Sequence, residues 1–330
     1  MKISILGAGG WGTALALVLS ANDHAVTLWA RSADTVAQMH RTRINSAYLP
    51  GIVIPDAIRL TDDPEKANDA EMLVIAIPTQ FIRPAFADYG LQAAGKIVVS
   101  TSKGVERGTL MRVSEVLQDA AGISMQNFAA LTGPSHAEEV ARTLPTTVVA
   151  ASESENVAKL VQHTFTRSTF RVYHSTDVIG AELGGAVKNV IAISAGIVDG
   201  LGMGDNTKAA LITRGLAEIT RLGIALGAQP MTFSGLSGLG DLIVTCASRH
   251  SRNRSVGEQI AKGKTLEQIH RETQQVAEGV FSSESVYALS QKVGVEMPIA
   301  HKVYEVLFQG KPASQAMHEL MTREVKPEQW

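Results

Sequence analysis

A glycine-rich run near the start and one isolated lysine in mid-chain are the residues most suited to chemistry. Gly7-Ala8-Gly9-Gly10-Trp11-Gly12 follows an apolar run of β type, Lys2–Leu6, and opens a helical run, Thr13–Ser20. A second run of β type, Val26–Trp29, comes next. Glycines so spaced between a strand and a helix suit a phosphate-binding turn. Gly7 permits the tight bend, Gly9 lets a pyrophosphate reach the backbone, and Gly12 lets helix and strand pack closely. The N–H groups and positive end of the helix dipole then face the phosphates. An ordinary glycine turn is the plain alternative, and the order strand, glycines, helix, strand argues against it.

The residues after the second strand bear on which dinucleotide is held. An acid at that strand end bonds the ribose 2′-hydroxyl and selects NAD. Here the chain reads Trp29-Ala30-Arg31-Ser32-Ala33-Asp34, with no acid at the strand end and a cation just beyond it. Arg31 suits the 2′-phosphate of NADP, so NADPH is expected to be preferred over NADH. A solvated arginine, and Asp34 folding back to a ribose, both stay open.

Lys188 is the only Lys or Arg between Arg171 and Lys208. It lies in an apolar helical run, where an unpaired ammonium is costly to bury. Gly184 and Ala192 lie one turn to either side of it. The Gly184-Gly185 pair costs roughly 1 kcal/mol per glycine in a helix, which asks for a packing or ligand reason. Such small neighbours leave room for a ligand beside the amine. A desolvated lysine near other cations has a lowered pKa and can exchange protons. A snorkelling or ion-paired lysine is the other reading.

Three further segments offer company. Ser100-Thr101-Ser102-Lys103-Gly104 follows a strand and falls at a carboxyl sheet edge, where ligands of doubly wound sheets bind. Lys103 either faces a nicotinamide there or is a solvated loop lysine. Gly133-Pro134-Ser135-His136-Ala137 follows another strand, and Ser135 either donates to an anionic substrate or caps a helix. Leu239-Gly240-Asp241 precedes Ser251-Arg252-Asn253-Arg254-Ser255, whose two arginines either clamp a phosphate bidentately or belong to a polar loop. No metal site is expected. The nine histidines are scattered, none in a paired spacing, and Cys246 stands alone. His136 and His174 read as ordinary polar residues and Cys246 as a small core residue.

The elements that must position these residues change character along the chain. Runs of β type occur at Ile3–Leu6, Val26–Trp29, Met72–Ile77, Ile97–Ser100, Phe128–Thr132, Thr147–Ala150 and Thr169–Tyr173, mostly with amphipathic helical stretches between them. This alternation predicts an α/β fold, a Rossmann-like doubly wound sheet with helices on both faces. After Tyr173 the spacing predicts helices only, near 177–199, 206–227, 238–247, 254–262, 276–293 and 298–308. The expected division is residues 1–176, a dinucleotide-binding unit, and residues 177–330, an all-α substrate and catalytic unit. Lys326–Trp330 reads as a loose tail.

Composition narrows the class. One cysteine in 330 residues excludes a disulfide scaffold and suits a reducing compartment. A hydrophobic fraction of 45% with a net charge of −2 argues against disorder, and no basic block suggests nucleic acid. The apolar run Leu183–Val198 is broken by Lys188 and falls short of the roughly 20 residues that span a bilayer. No export segment is evident. A cytoplasmic protein with no membrane insertion is expected.

Together the motifs resemble the bacterial, biosynthetic NAD(P)-dependent glycerol-3-phosphate dehydrogenases. The resemblance runs from the glycine turn to about Leu320. It is carried by GPSHAEEV (133–140), LGGAVKNVIAI (183–193), ALITRGLAEITRLG (210–223), GLGDLIVTC (238–246), SRNRS (251–255) and VEMPI (295–299). It implies reversible hydride transfer between NAD(P)H and dihydroxyacetone phosphate, giving sn-glycerol 3-phosphate for phospholipid synthesis. It implies Lys188 as the catalytic lysine, and Lys103 as a contact to both cofactor and substrate. Gly133, Ser135, Asp241, Ser251, Arg252 and Asn253 are implied at the substrate. Gly10, Trp11, Arg31, Ala137, Arg252, Val276 and Glu278 are implied at the cofactor, and a homodimer is expected. Two departures stand out: Gly10 where a serine is commoner, which removes a side-chain bond to the pyrophosphate, and Ser102 where threonine is frequent. On this reading Asp241 orients Lys188 or a substrate hydroxyl, and the two lysines depress each other's pKa. The rivals are a related two-domain reductase of a non-phosphorylated keto or hydroxy acid, which has no need of SRNRS, and a non-catalytic NADPH sensor.

Overall fold

The computed structural model describes residues 1–272, 277–325 and 327–328. Eight strands form one sheet: β1 (Lys2–Leu6), β2 (Ala25–Trp29), β3 (Arg59–Thr61), β4 (Met72–Ile75), β5 (Ile97–Ser100), β6 (Phe128–Thr132), β7 (Thr146–Ala151) and β8 (Phe170–Ser175). Their order is β3-β2-β1-β4-β5-β6-β7-β8. All neighbours run parallel except β6 and β7. Every residue of β4 and β6 is buried. Strands covered on both faces read as continuous apolar runs for that reason.

Seven helices belong to this half: α1 (Gly10–Ser20), α2 (Ala33–Thr42), α3 (Pro64–Asn68), α4 (Ile82–Tyr89), α5 (Val113–Ala121), α6 (Ala137–Ala141) and α7 (Glu155–Phe165). Leu15 and Leu19 of α1, Met39 of α2 and Phe165 of α7 pack on one face of the sheet. Ile82 and Phe86 of α4 and Val116 and Leu117 of α5 pack on the other. The chain leaves β1 toward β2 on one side and pairs β1 with β4 on the other. That switch point opens a crevice at the carboxyl ends of the strands.

Two strand expectations need correction. β3 was not anticipated, since a three-residue edge strand carries too little alternation to be seen. β4 ends at Ile75 rather than Ile77, where the chain bends over Gly7 and reaches Pro78, which has no N–H to donate.

No strand follows β8 among the described residues. The helices are α8 (Val178–Gly200), α9 (Gly204–Ala225), α10 (Pro230–Phe233), α11 (Asp241–Ala247), α12 (Arg252–Ala261), α13 (Leu266–Glu272), α14 (Glu278–Val293), α15 (Pro298–Phe308) and α16 (Ala313–Met321), with a π-helical turn at Leu236–Gly240. The short α10, α13 and α16 were not foreseen. Only part of the expected loose tail lies within the described residues.

α8 is the axis of this half. It starts at Asp177, whose carboxylate caps it by accepting from Gly180 N–H at 2.9 Å. The same carboxylate takes Gln229 N–H and the Thr232 hydroxyl, so α10 is tied to the cap. By length and composition α8 could cross a membrane, being longer than the apolar run anticipated, but 94% of its apolar window is buried in the helical core. A helix apolar all round belongs in such a core. α12 lies against it backbone to backbone: a Cβ on Gly196 would sit 1.9 Å from the Arg254 carbonyl, and one on Gly257 equally close to that of Ile193. This contact brings the SRNRS segment to α8.

Glu182 of α8 joins the two halves. Its carboxylate accepts from the Ser114 N–H, the Ser114 hydroxyl and Arg112, each at 2.7 Å. Burial raises its pKa, opposed by the Arg112 charge.

Candidate active site

The glycine turn has the geometry its spacing predicts. Gly7 takes φ +115° and lies against the Ala76 carbonyl, where a Cβ would come within 2.6 Å. A Cβ on Gly12 would meet the Gly7 carbonyl. Gly9 faces open space and is the N-cap of α1, with no side chain capping it. The N–H groups of Gly10, Trp11 and Gly12 therefore have no partner inside the helix. This bare, concave backbone fits a pyrophosphate. Ala137, at the start of α6, lies beside Gly10. The indole of Trp11 turns inward against Phe170, with centroids 6.5 Å apart. Arg31 is exposed just beyond β2, while Ser32 caps α2 and Asp34 sits exposed in its first turn.

Across the carboxyl edge of the sheet, three charged residues from distant elements converge. Lys188 of α8 donates to Asp241 Oδ1 at 2.6 Å and to the Thr245 hydroxyl at 2.7 Å. Lys103, in the loop after β5, donates to Asp241 Oδ2 at 2.8 Å and to the Gly133 carbonyl at 3.0 Å. Lys188 is 5% exposed and Asp241 1%. One carboxylate thus holds two ammonium groups where an unpaired charge would be severely penalised. Burial lowers the Lys188 pKa to about 8; Asp241 raises it and Lys103 lowers it further. Burial by itself would raise Asp241, but the two ammonium groups outweigh it and hold the carboxyl below its usual range.

The glycine pair before Lys188 does not leave the room expected of it. A Cβ on Gly184 would sit 2.4 Å from the Ser237 carbonyl, and one on Gly185 3.0 Å from the Thr132 hydroxyl and 3.4 Å from Lys103 Cγ. Protein fills both places. The glycines let the π-helical turn and the Lys103 stem close on α8, which is what brings Asp241 and Lys103 to Lys188.

The SRNRS segment divides. Ser251 is the buried N-cap of α12 and accepts from the Arg254 N–H at 3.2 Å. Arg252 is exposed and its charge acts on Glu278. Arg254 is not half of a two-arginine clamp, because it pairs with Asp199 and donates to the Ser248 carbonyl. Asn253 is also engaged: it donates to Asn189 at 2.8 Å and accepts from Gly279 N–H at 2.9 Å. Asn189 in turn donates to the Lys103 carbonyl. The two asparagines therefore lace α12 and α14 to the lysine loop.

Glu278, at the start of α14, accepts from the Thr79 N–H at 3.0 Å across the seam, and burial raises its pKa. Val276 lies outside the described residues. Gly133 takes φ +139°, and Ser135 donates to its carbonyl at 2.9 Å. Ser135 caps no helix, since His136 is the N-cap of α6.

Thr245, Asn189 and His136 were missed as members of this cluster. Asn189 carried a signal, as a second polar residue beside Lys188 in an apolar helix. His136 is not the ordinary polar residue expected. Its Nε2 is buried without a partner, and its pKa is lowered by burial and then by the Lys188 charge. His174 is exposed and bonds Gln162. Cys246 is buried and its thiol is pushed up to about 12 by burial, in keeping with a core residue.

Two family models match in tandem: NAD-dependent glycerol-3-phosphate dehydrogenase N-terminus over residues 2–158, and the C-terminus of the same enzyme over residues 177–318. A relative from Chlorobium luteolum, named glycerol-3-phosphate dehydrogenase [NAD(P)+], is 54% identical over 99% of both chains. A relative of that name from Geobacter sp. (strain M21) is 52% identical over 99% of this chain and 98% of its own. The solved glycerol-3-phosphate dehydrogenase from Coxiella burnetii has a TM-score of 0.93 at 37% identity, covering 98% of this chain and 99% of that one. With both halves matched in order and more than half of all residues shared with a full-length relative, the chain belongs to the NAD-dependent glycerol-3-phosphate dehydrogenase family.

Proposed function

We propose that Asp241 and the two lysines it holds form the reacting centre of this oxidoreductase, in the seam between residues 1–176 and 177–330. The reaction is reversible reduction of dihydroxyacetone phosphate by NAD(P)H to sn-glycerol 3-phosphate, which supplies glycerophospholipid synthesis. The observation that carries the assignment is the buried Lys188 ammonium, 2.6 Å from a carboxylate that also takes Lys103 from the loop after β5.

A reduced nicotinamide held at the carboxyl edge of the sheet would supply the hydride to C2 of the ketone. As charge develops on the ketone oxygen, Lys188 gives it a proton and becomes a neutral amine; in oxidation it takes that proton back. A pKa near neutrality lets one group serve both directions. Asp241 keeps the amine aimed, and Lys103 adds a second cation to stabilise the alkoxide. The substrate phosphate docks at Arg252 and the cap of α12, with Ser251, Gly133 and Ser135 beside it. Asn253 acts by holding Asn189 and the lysine loop. Gly9, Gly10, Trp11 and Gly12 hold the pyrophosphate through backbone N–H groups, Gly7 makes the bend while its own N–H bonds the Trp29 carbonyl at 3.0 Å, and Arg31 takes a 2′-phosphate. Ala137, Val276 and Glu278 complete the cofactor side, and Arg252 reaches both ligands. We place the enzyme in the cytoplasm as a homodimer outside the membrane. The interior position of α8 supports the last of these.

The test is to follow reduced-nicotinamide absorbance with dihydroxyacetone phosphate and each nucleotide. Turnover is expected with both, faster with NADPH, and Arg31→Ala should erase that preference. No turnover on this substrate would overturn the assignment.

A further inference from the structure

Between α2 and β3 the chain makes a long excursion, residues 43–58, that closes over the glycine turn. Arg43 latches the excursion by donating to the carbonyls of Ile54 at 3.0 Å and Ile58 at 3.1 Å. Asn45 lies inside it and is 1% exposed. Its amide nitrogen donates to the Ala8 carbonyl at 2.9 Å and to the Thr13 hydroxyl at 2.8 Å. The Ala8 carbonyl can only accept, so it is the nitrogen side of the amide that faces it.

The bond to Ala8 sets a peptide plane. A trans peptide is flat, and its C=O and N–H point opposite ways. With the Ala8 carbonyl turned to Asn45, the Gly9 N–H points away from Asn45. That N–H bonds nothing in the protein among the described residues, and Gly9 borders open space. Turning the peptide over would carry Gly9 from φ −77° to a positive φ, which glycine adopts at little cost. The turn by itself therefore does not hold this plane. A peptide turned over would offer an anion the Ala8 carbonyl, an acceptor, in place of a donor.

We infer that Asn45 is a positioning residue of the cofactor site: by holding the Ala8 carbonyl it aims the Gly9 N–H at the pyrophosphate. It touches no ligand itself. The inference rests on the function proposed above, which seats the pyrophosphate on this turn.

The experiment is calorimetric titration with NADPH of the unmodified chain, Asn45→Leu and Thr13→Val. Asn45→Leu loses both bonds. Thr13→Val loses the bond that fastens the loop to α1 and keeps the one to Ala8. Kd should rise about tenfold or more in Asn45→Leu, the worth of a hydrogen bond to a charged group. In Thr13→Val it should stay close to that of the unmodified chain, although both variants melt at lower temperature. Equal losses of affinity would mean that Asn45 only fastens the loop, and an unchanged Kd in Asn45→Leu would mean that the plane needs no holder; either overturns the inference. A second measurement needs no variant to fold. Isotope labels on alanine carbonyls and glycine nitrogens select the four Ala-Gly steps of the chain in a magnetic resonance spectrum. The Gly9 amide signal should move on saturation with NADPH. A Gly9 signal that stays in place while NADPH binds overturns the inference and leaves the proposed function standing. An unmodified chain that does not bind NADPH sinks both.

Discussion

At the scale of single residues the site rests on one carboxylate serving two amines. Lys188→Ala removes the proposed proton donor while Asp241 keeps Lys103, so no buried charge is orphaned. We expect kcat to fall by about 10²–10⁴-fold with the thermal midpoint little changed, read by steady-state kinetics and calorimetry. Activity near that of the unmodified chain would remove Lys188 from the mechanism. The pH dependence follows from its pKa of about 8. Reduction needs the ammonium, so its kcat should fall as pH rises through about 8. Oxidation needs the neutral amine, so its kcat should rise over the same range. The two arginines of SRNRS separate in the same way. Arg252→Ala should raise KM for dihydroxyacetone phosphate by about 10–100-fold, the worth of a charge-assisted bond. Arg254→Ala breaks the pair with Asp199 and should lower the melting temperature while leaving KM near its original value. Equal effects on KM would show that both arginines grip the phosphate.

At the scale of elements, what could be read from the sequence depended on length and on who supplies the partners. The glycine turn was legible because strand, turn and helix are contiguous. Lys188 was legible as an oddity, a charge in an apolar helix. Its partner Asp241 is 53 residues away, so the carboxylate's hold on both lysines was visible only in the fold. Thr245 and His136 stayed hidden because each looks ordinary until α11 and the β6–α6 turn close around α8, whereas Asn189 was as odd in its apolar helix as Lys188 and was passed over. The three-residue β3 and the short α13 and α16 lacked enough turns or alternations to show a period. Packing between elements also hides a titration. Glu218 of α9 accepts from the N–H groups of Ile299 and Ala300 at 2.7 and 3.2 Å, capping α15. Burial raises its pKa to about 7 against these bonds. An acid whose folded pKa lies above its unfolded one binds more protons when folded, so stability declines as pH rises from about 4.5 through 7. The contribution is about 3 kcal/mol at most. Glu218→Gln should flatten the dependence of melting temperature on pH across that window. An unchanged slope would mean that Glu218 stays ionised.

At the scale of the whole molecule, the site exists only while the two halves are held together. Lys103 and Thr79 come from the sheet half, and Asp241 and Glu278 from the helical half. Lys103–Asp241 and Thr79–Glu278 are cross-seam bonds inside the site, so they cannot be removed without touching the chemistry. Outside it Glu182 is the buried cross-seam tie, beside the exposed Arg107–Glu284 pair. Glu182→Ala would leave the Ser114 N–H without its acceptor and Arg112 with only Glu115 as an ionic partner. Breaking a buried pair on one side costs about 3 kcal/mol or more. The glycine turn lies wholly within the sheet half, on α1, β1 and the chain after β4. The turn should therefore still bind NADPH in Glu182→Ala, with a loss of about tenfold as the contacts from Arg252, Val276 and Glu278 of the helical half weaken. The carboxylate and both lysines, by contrast, depend on the seam, so kcat should fall well beyond that factor. Calorimetry should show a lower, broader transition as the halves begin to unfold separately, and titration with NADPH should show the first half still competent. A single sharp transition at the original temperature, with kcat unchanged, would mean that the bonds inside the site are enough to hold the halves in register.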